Sequence, residues 1–209
     1  MELRDVIARR ASVRQFAGDA VPENDLKEMV RLAGLAPSVN NSQPWKFIAI
    51  TNRDLLGKMA DSVRKAIEQC LPICGDENEK QARKQVEWFS TFFENAPAVI
   101  VVAQCPYEAI VDSALQHSGM SHNDVNALRG HPDIESIGAA IENMLLAAVD
   151  MGYGGCWLSG PLIARQSIEK CIGIGDPWQL AAMVALGKPA QDVAQREKKA
   201  IDDIFKLIA

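Results

Sequence analysis

Arg10, Ser12 and Arg14 stand at alternate positions of the run Arg9-Arg10-Ala11-Ser12-Val13-Arg14-Gln15-Phe16. In extended backbone, side chains at i, i+2 and i+4 share one face. Two guanidinium forks with a hydroxyl between them then match the oxygens of a phosphate monoester. A helix would not serve, because Ser12 would point away from both arginines. A plainer reading also exists: Asp5-Val6-Ile7-Ala8-Arg9-Arg10 ends basic, which suits the negative end of a short helix dipole. The chain carries a net charge of −5, so two neighbouring unpaired cations call for an anion. A phosphate dianion supplies one.

A second constellation lies in Ala36-Pro37-Ser38-Val39-Asn40-Asn41-Ser42-Gln43-Pro44-Trp45. It has neither helical nor strand period, and two prolines bracket its polar residues. Such segments are often solvated connections, but Trp45 directly before an apolar run anchors this one to a core. Asn and Gln each carry a donor and an acceptor. That pair suits the acceptor–donor–acceptor edge of a flavin's pyrimidine ring.

The elements that must position these residues follow from length and pattern. A chain of 209 residues suits a single domain with a sizeable core, and 48% hydrophobic with 23% charged residues is ordinary for a globular protein. The acidic balance argues against nucleic-acid or polybasic membrane partners. No apolar run reaches membrane-spanning length, and the charged start Met1-Glu2-Leu3-Arg4-Asp5 has no signal-peptide core behind it, so a cytoplasmic protein is expected. Cys70, Cys74, Cys105, Cys156 and Cys171 are odd in number and lack C-x-x-C spacing, which fits reduced thiols. Cys70 and Cys74 could share one helix face. His117, His122 and His131 show no ligand-like spacing, so no metal site is expected.

Residues 2–9 read as a short helix, and Val21-Pro22-Glu23 opens a second that ends near Gly34–Pro37. Residues 46–51 read as a strand, followed by a helix from Asn52 or Arg53 to about Gln69. Asp76–Glu87 has helical character and leads into Trp88, Phe89, Phe92 and Phe93, which pack over a cavity, over a partner or simply into the core. Pro97–Ala103 reads as a strand covered on both faces. Residues 105–132 read as a lid or loop with at most a short helix. Residues 133–151 give the strongest helix, apolar nearly all round and lined with small residues, which suggests a central helix packed against its copy. A strand at Gly154–Leu158, a helix at Pro161–Cys171, a strand at Gln179–Leu186 and a closing helix at 196–208 complete an α+β or α/β sandwich with a mixed sheet.

With these motifs in hand, the chain resembles the nitroreductase family of FMN-dependent oxidoreductases. The matching pieces are Arg10-x-Ser12-x-Arg14-x-Phe16, Ala36-Pro37-Ser38 through Trp45, and Ser136-Ile137-Gly138 through Ala148. Gly152-Tyr153-Gly154-Gly155-Cys156-Trp157-Leu158-Ser159-Gly160 and Ala185-Leu186-Gly187-Lys188-Pro189-Ala190 follow in the family's order and spacing. The resemblance implies one domain over 1–209, a nitroreductase-like three-layer α/β/α sandwich with a mixed, mainly antiparallel sheet, and an intertwined homodimer with two interfacial FMN sites. It implies that Arg10, Ser12 and Arg14 hold the FMN phosphate and ribityl chain, and that Pro37, Ser38, Val39 and Asn41 reach the same flavin from the other subunit. Ser159 and Gly160 would lie against the isoalloxazine ring, and Arg196 and Lys198 would close over the phosphate. Glu142, where many relatives have Gln, and Lys188, where an aromatic is common, depart from the pattern.

The activity so implied is NAD(P)H-driven, ping-pong reduction of electron-poor small molecules such as nitroaromatics or quinones, with NADH or NADPH as donor. The alternatives are a flavin-dependent dehalogenase or oxidase on the same fold, or a non-catalytic FMN-binding protein. The chemistry would reside on flavin N5, with no catalytic side chain required. Cys156 reads as a small packing residue, and Asp19 and Asp25 as turn and helix-start residues.

Overall fold

Burial along the N-terminal strip decides between its two readings. Helix α1 (Leu3–Arg9) ends with its basic last turn, and the chain then extends. Ala11 and Val13 are buried while Arg10, Ser12 and Arg14 are half-buried, the alternation of extended backbone. The Val13 amide donates to the Gly155 carbonyl at 3.0 Å, and Ser12 bridges Gly155 in parallel. The structure, a computed structural model, describes residues 1–71, 75–114 and 119–208; Cys74 and His117 lie outside them.

After the strip, Pro22 leads into α2 (Glu23–Ala33), whose acidic first turn faces the positive end of its dipole. Strand β1 (Trp45–Ile50) follows the loop. Asn52 caps α3 (Arg53–Cys70) by accepting from the Leu55 amide at 3.0 Å, and Asp76 caps α4 (Glu77–Thr91). A 3₁₀ turn at Phe92–Asn95 joins α4 to β2 (Ala98–Gln104).

Residues 105–131 hold two short helices rather than at most one: α5 (Ile110–Ala114) and α6 (His122–Leu128). Ser121 and Asp124 form a reciprocal capping box that starts α6. Tyr107, Asn126 and Asp133 are linked by buried hydrogen bonds.

The long α7 (Pro132–Asp150) leads to β3 (Gly154–Leu158). A 3₁₀ turn at Gly160–Ala164 precedes α8 (Arg165–Ile172), then β4 (Gln179–Gly187) and α9 (Ile201–Ile204). The closing helix expected over 196–208 is therefore confined to four residues. Ile201, Ile204, Phe205, Leu207 and Ile208 are all exposed, and a short helix without packing for its apolar face is not stable.

The strands pair β1-β2-β4-β3, every named pair antiparallel. The strip's parallel bridge to Gly155 is the parallel contribution at the β3 edge. Alternate strand residues face two cores. Val99, Val101, Cys156 and Met183 pack with Leu56, Met59, Ile67 and Ile168 of α3 and α8. Ala98, Ile100, Val102 and Val184 pack with Leu26, Met29, Ile141 and Met144 of α2 and α7. Three layers result. Between the pairs Val102–Ala182 and Ala103–Leu180, β4 carries one extra residue, Ala181. This bulge turns Leu180 to the α3 side although Ala182 faces α7.

Within one chain α7 is not covered all round. Ala140, Ile141, Met144, Leu145 and Ala148 are buried, whereas Gly138, Ala139, Glu142, Asn143 and Leu146 are half-buried and Ile134 is exposed.

Tyr153, at the approach to β3, donates its hydroxyl to the Asp25 carboxylate of α2, and that bond pushes the phenol up to about 12. Tyr153→Phe should cost about 1 kcal/mol in urea unfolding at neutral pH. Because the folded state holds the proton more tightly, the wild-type advantage is full below about pH 10 and shrinks as pH rises towards 12. Equal stability at pH 7 would contradict this.

Candidate active site

The extended strip turns three polar side chains outward, and the C-terminal segment brings two more cations to them. Arg10, Ser12, Arg14, Arg196 and Lys198 line one cavity of about 250 Å³ together with Ala11, Val193, Ala194 and Gln195. Gln195 fastens the segment: its amide donates to the Ile7 and Arg10 carbonyls, both at 2.7 Å. The first belongs to the last turn of α1, whose carbonyls lack helical partners, and the second to its C-terminal cap. Glycine makes room on the other side. A Cβ at Gly154 would lie 2.4 Å from Val13 Cγ2, so a larger residue would push the strip off β3.

Four cations line this cavity and no acid does. Glu142 of α7 approaches from outside, with Oε1 3.6 Å from Arg10 Nε. That Nε is buried and has no hydrogen-bond partner among the described residues. A buried guanidinium N–H left unpaired is costly, so the site fits an anion whose oxygens reach Arg10. Arg14 bonds weakly to the Ser12 carbonyl at 3.4 Å and lies 5.4 Å above the Phe89 ring.

Arg14 also lines a second cavity of about 270 Å³, shared with Phe89, Ser90, Phe92, Cys156, Trp157, Ser159 and Gly160. The two cavities thus meet across one arginine: a cationic end and an aromatic end. A Cβ at Gly160 would stand 2.5 Å from Ser90 Oγ. Glycine there lets the C-terminal turn of α4 descend onto the chain after β3. Cys156 is buried, and burial pushes its thiol up, against the nearby charge of Arg14. A protonated thiol is a poor nucleophile, in keeping with a packing role.

The structure brings Arg10, Ser12, Arg14, Arg196 and Lys198 together, and joins Ser159 and Gly160 to them through Arg14. Pro37, Ser38, Val39 and Asn41 line neither cavity. Their loop instead docks near the start of α7, where the Val39 amide donates to Ser136 Oγ at 3.0 Å. Asn40, Asn41 and Gln43 adopt left-handed backbone, which asparagine tolerates better than most residues. Lys188 pairs with Asp19 at 3.5 Å, and His122 with Asp112 at 2.7 Å; neither pair lines the two cavities. The His122 hydrogen bond holds the Asp112 carboxyl below its usual range.

Sequence reasoning missed Gln195, Phe89, Ser90 and Trp157 as site residues. Gln195 sits in a charged run with no pattern of its own. The aromatic cluster was legible, but its choice between cavity and core was not. Gln195→Ala should accelerate amide hydrogen exchange across residues 190–198 severalfold while leaving β2 and β4 protected. Unchanged exchange in that segment would show that Gln195 does not hold it.

Residues 7–188 match the profile of the Nitroreductase family, and the chain belongs to that family of FMN-binding oxidoreductases. A Bacillus subtilis protein provisionally named an NAD(P)H nitroreductase is 22% identical over 97% of this chain and 92% of its own length. Iodotyrosine deiodinase of Hydra vulgaris is 25% identical over 94% of this chain and 69% of its length. Among solved structures, a BluB-like flavoprotein from Clostridium difficile 630 superposes with a TM-score of 0.90 at 33% identity, covering 100% of both chains. A Bacteroides fragilis nitroreductase with bound FMN shares the fold at a TM-score of 0.70 and 20% identity, again over 100% of both chains. No helix among the described residues is long and apolar enough to cross a membrane.

Proposed function

We propose that this chain binds FMN and acts as a homodimeric, NAD(P)H-dependent oxidoreductase that reduces electron-poor small molecules such as nitroaromatics or quinones. The observation that carries the reading is a cavity lined by four cations and no acid in an acidic chain, beside an Arg10 Nε that is buried, lacks a hydrogen bond and meets Glu142 only at 3.6 Å. Arg10, Ser12, Arg14, Arg196 and Lys198 would hold the phosphate. Ser159 and Gly160 would lie against the ring, in the adjoining aromatic cavity. When bound, FMN supplies the redox chemistry, taking hydride from a reduced nicotinamide and passing electrons to the acceptor.

The protein's part is to bind and to orient. Arg10 and Arg14 fix one end of the cofactor by charge-assisted hydrogen bonds. The Phe89 and Trp157 side chains wall the other end. Both are more than a third exposed in the single chain, at 38% and 44%, which leaves room for a donor and an acceptor to use one opening in turn. Ping-pong kinetics follow.

A homodimer accounts for what one chain leaves open. One flank of α7 (Gly138, Ala139, Glu142, Asn143, Leu146) is only half-buried, and the apolar C-terminal residues are exposed. A second copy covering α7 would also carry its own Pro37–Asn41 loop, which α7 holds, towards this flavin. Cytoplasm is the compartment that supplies reduced nicotinamides and keeps thiols such as Cys70, Cys105 and Cys171 unpaired.

Freshly purified protein should be yellow, lose its colour anaerobically with NADPH or NADH, and regain it with a nitroaromatic or quinone. Arg10→Ala combined with Arg14→Ala should lose its flavin on purification, since each charge-assisted bond contributes about 1.5–3 kcal/mol. Flavin that neither nicotinamide can bleach would favour the non-catalytic FMN carrier, and turnover restricted to halogenated substrates would favour the dehalogenase. A colourless protein indifferent to added FMN overturns the proposal, as does a double variant with full flavin content.

A further inference from the structure

Two hydroxyl residues end α4, and they differ in one respect. Thr91 Oγ1 donates back to the Glu87 carbonyl at 2.8 Å, the usual way for a helical hydroxyl to be satisfied. Ser90, one position earlier, is 4% exposed, yet its hydroxyl makes no hydrogen bond to any described residue. A back-bond within the helix was open to it too, but its oxygen remains accessible from the cavity and free to take a partner there. The hydroxyl instead points to the backbone of Gly160, where a Cβ would lie 2.5 Å from its oxygen. Both residues line the aromatic cavity beside Arg14 and Phe89.

We infer that Ser90 hydrogen-bonds the polar, redox-active edge of the flavin ring, and so fixes which edge of the ring faces α4. The inference rests on the FMN reading given above. The dimethylbenzene end of an isoalloxazine offers no hydrogen-bonding atom, whereas the N5 and O4 edge offers acceptors. A ring turned with its apolar end to Ser90 would leave the hydroxyl stranded. The residue type suits the task as well. N5 accepts a hydrogen bond when oxidised and donates one when reduced, and a serine hydroxyl can rotate to serve either state. A lysine or a carboxylate could match only one of them. Gly160 completes the arrangement, because any side chain there would displace the oxygen.

The test is titration of the full-length apoprotein with FMN and, separately, with riboflavin, which shares the ring but lacks the phosphate. Ser90→Ala should weaken both flavins by the same factor, about threefold to tenfold, and should shift the visible absorption bands of bound FMN. Ser90→Cys fills the same space with a weak donor and should show the same loss, so a folding defect in either variant does not decide the matter. Wild-type affinity and an unshifted spectrum in both variants would overturn the inference while the FMN reading stands. A loss confined to FMN, with riboflavin unaffected, would also overturn it, since the effect would then lie at the phosphate end. If the wild-type apoprotein binds neither flavin, the FMN reading itself fails and takes this inference with it.

Discussion

Mutual repulsion among Arg10, Arg14, Arg196 and Lys198 is the constraint around which the site is built. Four like charges around about 250 Å³, two half-buried and two exposed, with no acid in the lining, favour an anion among them. Glu142 relieves one of them from outside, at 3.6 Å, too far for a hydrogen bond. The fold nevertheless holds the cations there with ordinary means: a backbone bridge to β3 and a glutamine that ties the C-terminal segment to the end of α1. A phosphate bound there, as proposed, would turn the cluster into a set of charge-assisted bonds.

The sheet places the aromatic cavity directly beyond this cluster. Cys156 and Leu158 of β3 face the α3 and α8 core, and the chain leaving β3 passes under the end of α4. The close approach at Gly160 sets how near α4 comes, and therefore where Phe89 and Ser90 stand. Arg14 belongs to both cavities and relates one end of a bound ligand to the other. On the far side of the sheet, α7 keeps a half-covered flank. In the proposed homodimer, the layer that supports the sheet would double as the surface for a second copy.

Much of this was legible in the sequence because it depends on local periodicity and caps. The alternation Arg10, Ser12, Arg14 could be read from side-chain direction alone, and Asn52, Pro22 and the apolar run 98–103 mark their elements by local chemistry. The strong helix at 133–151 was plain, but its exposed flank was not, since an apolar face reads the same whether a sheet or a partner covers it. The C-terminal helix was misread for a related reason. Ile201, Ile204, Phe205, Leu207 and Ile208 have the composition of a packed helix, yet one chain offers them nothing to pack against. Gln195 and Ser90 escaped notice because their importance lies in partners far away in sequence: α1 for one and Gly160 for the other.

The account's central claim is that the N-terminal cations and the C-terminal segment form a phosphate site. Calorimetric titration of the wild-type apoprotein with FMN and with riboflavin measures the phosphate's contribution alone. The arrangement predicts that FMN binds tighter by about a hundredfold or more, from at least two charge-assisted bonds. Equal affinity for the two flavins would contradict it.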